Sequence, residues 1–203
     1  MTLLKGPRVT FSPFGFPQQI KTPTDSILAE NIHFHFYNAV DGKEIRLKSG
    51  MMMFANGDSM WRVSSVSEKL EMEVQGNLVS DGIMNFEVTV KGVQDVDMKD
   101  IVMHIPYNKG VAKSMLGLGK DGAYQPDSMY HWKWNPGDTA QKKVWIGNGK
   151  SGLVFWVFPN AAWLNGGIDV GIKGRSMLVN IYTGPRRLHA GDVLHFNFKL
   201  YTI

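Results

Sequence analysis

The sequence predicts an all-β protein, an antiparallel β-sandwich of roughly ten to twelve strands with at most one or two short helices. Two observations predict this fold. Short runs alternate apolar and polar residues, and turn dipeptides such as Asn56-Gly57 and Asp81-Gly82 separate them. Strand–helix–strand alternation and a sequence repeat of fixed period are both missing, which disfavours α/β folds, propellers and β-helices.

The composition predicts one domain, residues 1–203. The chain has 203 residues, 43% hydrophobic and 20% charged, which is enough for a sizeable core. Its net charge of +4 comes from 22 scattered Lys and Arg among 18 acids, so we expect no nucleic-acid partner. No apolar run has the length of a membrane span, and without cysteine there are no disulfides or thiolate metal sites.

The first 31 residues are expected to form an irregular segment that wraps over a sheet, because they contain four prolines. Residues 32–37 then alternate as a half-buried strand does. The clearest alternation is at residues 84–90, and residues 177–182 and 193–201 form the last strands. The predicted core faces of two central strands are Leu70, Met72 and Val74, and Met84, Phe86, Val88 and Val90.

Two windows have weak helical spacing. Residues 64–70 are interpreted as strand and turn, and residues 109–118 as a short helix at best.

Metal and cofactor motifs are weak in this sequence. His33 and His35 lie two apart on one strand face, a spacing that can present two imidazoles to one metal ion, but no third ligand is apparent. The glycines at 117, 119 and 122 match a dinucleotide-binding pattern without the strand before it and the helix after it that the pattern needs. We therefore expect no metal site and no cofactor.

An aromatic segment, residues 124–158, holds four of the six tryptophans among Pro, Gly, Asn, Asp and Lys. Flat rings beside polar groups are typical of a sugar-binding surface or a wet protein interface, and the alternative is that the rings close one end of the core. The candidate carbohydrate-binding residues are the rings Tyr130, Trp132, Trp134 and Trp145, with Asp127, His131 and Arg186 as polar partners.

Several motifs occur in an order that resembles a known family. They are VAKSMLGLG (111–119), HWKW (131–134), VWIGN (144–148), SGL (151–153), IYTGPR (181–186) and HFNF (195–198). This pattern resembles a β-sandwich module of large bacterial glycoside-hydrolase-like proteins, in which the sandwich precedes a barrel-like catalytic domain. The resemblance implies an accessory module, exported to the periplasm or the cell surface, with an adjoining catalytic domain as partner.

Three functions follow as hypotheses. The first is a non-catalytic module that binds carbohydrate, or docks a catalytic domain, through the aromatic segment. The second is a purely structural brace, which would expose one large apolar patch. The third is a polysaccharide-cleaving enzyme that uses Asp127 or Asp138 with His131, which would need two carboxylates, or an acid and a histidine, across a pocket. The catalytic residues of that family belong to the barrel-like domain and have no counterparts here, so catalysis by this chain alone is not expected.

Overall fold

The computed structural model describes residues 7–57, 59–79, 81–125, 128–135, 140–160, 162–163, 165–173 and 176–203. In these ranges all regular structure is β, no helix occurs, and every strand pair is antiparallel. The prediction of an all-β antiparallel fold is confirmed. A helix long and apolar enough to cross a membrane is likewise absent from the described ranges.

Eighteen strands lie in the described residues. The first nine are β1 (Arg8–Phe11), β2 (Pro17–Lys21), β3 (His33–Asn38), β4 (Lys48–Ser49), β5 (Met53–Ala55), β6 (Met60–Val66), β7 (Leu70–Leu78), β8 (Met84–Gly92) and β9 (Val96–Asn108). The other nine are β10 (Ser114–Gly117), β11 (Lys120–Tyr124), β12 (Tyr130–Lys133), β13 (Lys142–Gly147), β14 (Gly152–Val157), β15 (Gly167–Lys173), β16 (Ser176–Tyr182), β17 (Arg186–Leu188) and β18 (Val193–Thr202).

The strand count exceeds the expected ten to twelve because many strands are short. Ten strands have six or more residues, and the other eight have five or fewer. A run of two to five residues is too short for an alternating pattern to stand out in a sequence. The longer strands therefore account for the predicted number.

The strands form a large sheet, a small sheet and a hairpin. The large sheet has ten strands in the order β11-β10-β13-β14-β18-β8-β7-β6-β4, with β5 also paired to β6. The small sheet has six, in the order β12-β15-β16-β9-β17, with β3 also paired to β9. β1 and β2 pair only with each other, so they make a separate two-stranded sheet within the first 31 residues.

The core lies between the two sheets. Phe34 of the small sheet contacts Phe196 of the large sheet, with ring centroids 5.5 Å apart. Tyr107 Oη of β9 donates to the Leu153 carbonyl of β14 at 3.3 Å, so the sheets are also joined by a buried hydrogen bond. The predicted core residues of β7 and β8 are all buried. Their alternation therefore identified the inner face of the large sheet correctly.

Phe16, between β1 and β2, anchors the N-terminal hairpin in this core. Gly15 has a φ of +83°, and the following Phe16 is fully buried with its ring centroid 5.5 Å from Phe34 and 6.0 Å from Phe86. Further along, Ser151 Oγ donates to Asp25 Oδ2 at 2.5 Å. These contacts hold the segment against both sheets.

The weak helical window at residues 109–118 is a turn followed by β10. Met115 is fully buried and pairs with Ile146 of β13, so cross-strand packing overrides the local spacing of apolar residues. By contrast, residues 64–70 are strand and turn as expected, and Asn56 and Gly57 form a turn with φ of 53° and 64°.

Candidate functional site

Three of the predicted rings lie together at the edge of the small sheet. Tyr130 and Trp132 are on β12 and Trp134 follows it. Trp134 is only 5% exposed, and the two indoles meet edge to face with centroids 4.8 Å apart and planes at 82°. Tyr130 and Trp132 are half-buried and pack against the core. Much of this cluster therefore closes the edge of the core.

Two lysines cover these rings. Lys142 Nζ lies 5.3 Å from the Trp132 ring centroid and 5.8 Å from that of Trp134. Lys120 Nζ lies 4.4 Å from the Tyr130 ring, whose hydroxyl donates to the Leu118 carbonyl at 2.6 Å. Lys120 and Lys142 thus cap ring faces at the edge of the sandwich.

The predicted polar partners are not gathered around these rings. His131 alternates with Trp132, so it lies on the outer face of the small sheet, where its Nδ1 is 2.9 Å from Asp169 Oδ1. Arg186 is on β17, separated from β12 by β15, β16 and β9, and its Nη2 donates to the Ala162 carbonyl at 2.5 Å. Burial lowers the pKa of Arg186 from its usual value. Asp127 and Asp138 lie outside the described residues.

The fourth predicted ring, Trp145, faces a different surface, the outer face of the large sheet. It is half-buried, and its indole lies so close to Gly147 and Gly152 that a Cβ at either position would overlap the ring. Its cross-strand neighbours Leu116 and Val154 lie on the same face. Gly147 and Gly152 thus provide the space in which the indole lies flat on the sheet.

Other aromatic residues share that outer face. Trp156 on β14 and the following Phe158 stack with centroids 5.4 Å apart and planes at 20°. Tyr201 on β18 pairs with Val154 and is half-buried. We call Trp145, Trp156, Phe158 and Tyr201 the aromatic platform.

Two lysines contact the rings of the platform. Lys143, Trp156 and Lys199 are direct cross-strand neighbours on β13, β14 and β18. Lys143 Nζ lies 5.5 Å from the Trp156 ring and 5.1 Å from the Tyr201 ring. Lys199 Nζ lies 5.2 Å from Trp156 and 5.5 Å from Phe158. Each cation–π contact of this kind at a partly exposed site is worth about 0.5–1 kcal/mol, so the lysines help to order the rings.

A groove of about 590 Å³ lies beside the platform, between Phe158 and the start of β6. Its polar lining is rich in side-chain amides. Lys199 pairs with Asn85 and Asn85 with Asn77, while Asn197 pairs with Glu87 and Glu87 with Gln75, so these groups form two rows across β18, β8 and β7. We call the groove lined by Gln75, Asn77, Asn85 and Asn197 the amide groove.

Trp145 is the one residue of the platform and the amide groove that the sequence predicted as carbohydrate-binding. Residues 152–158 are almost continuously apolar, which is typical of a strand buried on both faces. A signal was present on the partner strands, since Lys143, Lys199 and Asn197 alternate with apolar residues and must face outward beside Trp156 and Phe158. This alternation can be related to Trp156 and Phe158 only once the pairing of β13, β14 and β18 is known.

The described residues contain no group of three or more His, Asp or Glu side chains already arranged to hold a metal ion. The amide groove contains one acid, Glu87, among its lining residues.

A family model described as "Glycoside hydrolase 123, third domain" matches residues 2–202. No match was found among curated proteins. Among solved structures the chain is similar to a polysaccharide lyase, with a TM-score of 0.58 and 12% identity over 97% of this chain and 32% of the lyase chain. It is also similar to the Slr1438 protein from Synechocystis sp. PCC 6803, with a TM-score of 0.51 and 10% identity over 97% of this chain and 91% of that one.

At sequence identities of 12% and 10%, these similarities show a shared fold and nothing about function. The chain spans about a third of the length of the lyase chain.

Proposed function

The chain belongs to the glycoside hydrolase 123 third-domain family, and we propose that it is a non-catalytic accessory module that binds carbohydrate on the outer face of its large sheet. The observation that carries this proposal is the aromatic platform lying directly beside the amide groove. The platform contributes flat apolar rings and the groove contributes paired donors and acceptors on one surface.

The chemistry of a sugar matches both parts of this surface. The C–H faces of a pyranose ring are apolar and stack on aromatic rings, while its hydroxyl groups both donate and accept hydrogen bonds. Trp156 and Phe158 stack on each other with planes at 20°, and both are half-buried, so the part of each ring that remains exposed can contact a sugar. Asn and Gln amides each carry donors and an acceptor, which allows one side chain to bind two hydroxyls. A sugar chain that stacks on the platform would extend its hydroxyls into the amide groove.

The lysines indicate which sugars this surface favours. Lys143 and Lys199 place two ammonium groups among the rings, and Glu87 is the one acid in the groove lining. A carboxylate or sulfate on a sugar would gain a charge-assisted hydrogen bond there. We therefore expect an acidic polysaccharide to bind more tightly than a neutral one of similar linkage.

The test is affinity electrophoresis and calorimetry against neutral and acidic polysaccharides with two variants. One is Trp156→Ala/Phe158→Ala on the platform, and the other is Asn77→Ala/Asn85→Ala in the groove. Removing a ring that anchors a ligand costs about 2 kcal/mol or more, so the platform variant should bind roughly 30-fold more weakly. Circular dichroism and denaturant unfolding check that each variant is folded.

Trp132→Ala, in the edge cluster, is the matched control. It removes an indole of the same size from β12 of the small sheet, outside the aromatic platform, and should leave affinity unchanged. Loss of binding in Trp132→Ala but not in the platform variant would move the site to the edge cluster. A folded wild-type protein that binds none of the polysaccharides would contradict the proposal.

A second candidate function, docking of an adjoining domain, is favoured by an apolar patch at the other end of the large sheet. Around β5 and β6 the side chains Met51, Met53, Phe54, Met60 and Val66 are 83%, 58%, 51%, 43% and 50% exposed. Arg62 and Ser64 lie between Met60 and Val66 on β6, so these groups are spread along the edge of the sheet. Exposed apolar groups concentrated in one region of a soluble domain often mark an interface. We propose that a neighbouring domain of a parent glycoside hydrolase covers this patch.

Docking is tested by expressing the chain together with a domain that adjoins it in such a parent. Met53→Glu/Phe54→Glu should separate the two domains in small-angle scattering or limited proteolysis, because a buried carboxylate without a partner is costly. Thr89→Glu, on β8 of the same sheet and separated from β6 by β7, is the control. Unchanged association in the double variant would exclude this patch.

Location and catalysis follow as narrower proposals. A module that binds polysaccharide outside the cytoplasm has to be exported, so we propose the periplasm or the cell surface, to be tested by cell fractionation of a producing strain. That the sandwich precedes a barrel-like catalytic domain also stays a prediction. The enzyme hypothesis stays one too, because Asp127 and Asp138 lie outside the described residues.

A further inference from the structure

A histidine pair lies on the outer face of the small sheet, away from the aromatic platform. His33 and His35 are on β3, where two residues of separation places both side chains on one face. Their Nε2 atoms are 2.7 Å apart. The side chain of His35 is 24% exposed, so the pair can be reached from solvent.

The hydrogen bonds of the two rings determine where their protons are. His33 Nδ1 is 2.8 Å from the Asn31 carbonyl oxygen, which can only accept, so Nδ1 carries the proton. His35 Nδ1 is 2.5 Å from Glu44 Oε1, and an ionised carboxylate likewise only accepts. Both neutral rings therefore direct an Nε2 lone pair toward the same point.

Two lone pairs at this separation repel unless a positive species lies between them. One candidate is a proton, which would make one ring an imidazolium. The other is a metal ion bound by both nitrogens.

The second partners of the rings are those of metal-binding histidines. A metal-ligating imidazole commonly donates its other N–H to a carboxylate or a backbone carbonyl, which orients the ring and makes the ligating nitrogen more basic. His35 has the carboxylate of Glu44 in that position and His33 has the carbonyl of Asn31. Each ring of the pair therefore has one of the two partners that orient metal-binding histidines.

A third imidazole borders the pair. His104 of β9 is the cross-strand partner of His33, and its ring centroid is 4.9 Å from that of His33 and 5.7 Å from that of His35. Its Nδ1 is 2.6 Å from Asn180 Oδ1 on β16. The rings thus line a small polar site at the edge strand of the sheet.

We propose that His33 and His35 bind one divalent transition-metal ion of the Zn²⁺ class through their Nε2 atoms, with water completing the coordination. Imidazole nitrogens suit zinc, copper and nickel, whereas calcium and magnesium prefer oxygen. At zinc–nitrogen distances of about 2.0–2.1 Å, tetrahedral ligands lie roughly 3.3 Å apart, so the two nitrogens separate slightly when the ion binds. Two protein ligands suffice for this proposal, which is compatible with the absence of a preformed three-ligand group in the described residues.

Calorimetric titration of the folded chain with zinc chloride tests the site. One ion should bind per chain, and binding should raise the melting temperature because the ion binds only the folded arrangement of β3. His33→Gln/His35→Gln should abolish both effects. Glu44→Gln should weaken binding by about 10- to 100-fold, since it removes the carboxylate that orients His35 without removing a ligand.

His195→Gln is the matched control, because His195 is an exposed histidine on β18 of the other sheet. It should leave the zinc isotherm unchanged. Zinc that binds the wild type and the double variant equally, or that does not bind the wild type at all, would overturn the proposal. A proton shared between the two Nε2 atoms, detected by nitrogen NMR in the presence of excess zinc, would also overturn it.

Discussion

Gly76 on β7 has no side chain and therefore leaves space for a buried indole in the core. The inward indole of Trp61 on the neighbouring strand lies across it, and a Cβ at position 76 would overlap the ring. Trp61 is 2% exposed, its Nε1 donates to the Gly15 carbonyl at 2.8 Å, and its ring meets Phe86 edge to face at 5.7 Å. Glycine at position 76 thus allows one indole to fasten the N-terminal turn to the large sheet.

We therefore expect Gly76→Ala to lower the free energy of unfolding. The added methyl displaces Trp61 from its site and weakens its buried hydrogen bond, and overpacking of this kind costs about 1–3 kcal/mol. Urea unfolding followed by tryptophan fluorescence measures the change. Gly110→Ala is the control, because its Cβ would meet only the Asn108 side-chain oxygen at 3.3 Å. Equal stability of the two variants would contradict this account of Gly76.

At the scale of elements, β16 and β17 pair with successive parts of β9 and are separated by residues 183–185. The carboxylate of Asp100 on β9 binds the residues that connect β16 to β17. Its Oδ1 accepts from the backbone N–H of Thr183 at 3.1 Å and from that of Gly184 at 3.0 Å. Burial raises the pKa of Asp100 from its ordinary value, although these hydrogen bonds oppose the shift.

Substitutions at position 100 distinguish the contribution of the hydrogen bonds to stability from the contribution of the buried charge. Asp100→Ala leaves the Thr183 and Gly184 N–H groups without this acceptor, and we expect a loss of about 1–3 kcal/mol in unfolding free energy. Asp100→Asn keeps an oxygen acceptor without the buried charge, so it should be at least as stable as wild type at pH 7. Denaturant unfolding of the three proteins at one pH measures both effects.

The pH dependence of the Asp100→Asn difference follows from the direction of the shift. A raised carboxyl pKa means that the folded state binds the proton more tightly than the unfolded state. The stabilisation of the wild type by that proton is complete below the ordinary carboxyl pKa of about 4 and is lost as pH rises through the raised value. The advantage of Asp100→Asn should therefore grow between pH 4 and pH 7, and an advantage that is constant over this range would contradict the assignment.

At the scale of the molecule, the two sheets and the N-terminal hairpin share one core. A single cluster of buried side chains includes residues of β1, β3, β8, β9 and β18. Because one connected cluster contains residues of both sheets, neither sheet has an independent apolar interior. Separation of the sheets would expose the inner face of each.

We expect calorimetric unfolding in one cooperative transition, as predicted for a single domain of residues 1–203. At about 0.7 kcal/mol per residue near 60 °C, the enthalpy would be roughly 140 kcal/mol. The calorimetric and van't Hoff enthalpies should agree within error. Two resolved peaks, or a van't Hoff enthalpy far below the calorimetric one, would show that the sheets unfold separately.

The β class, the longer strands and several turns can be predicted from the sequence alone. The alternation in β8 and the turn at Asn56-Gly57 depend on neighbouring residues alone, so they can be recognised without a structure. The family motifs were likewise local stretches, and the family model that matches residues 2–202 agrees with them.

Which rings face outward depends on the pairing of the strands and the packing of the sheets. Trp132 and Trp156 lie in similar aromatic stretches, yet Trp132 packs at the edge of the core while Trp156 lies on an open face beside Lys199, 43 positions later in the chain. His33 likewise meets His104 only because β3 pairs with β9. Such neighbours depend on the pairing of distant strands and on which faces the two sheets bury against each other, and local periodicity contains neither.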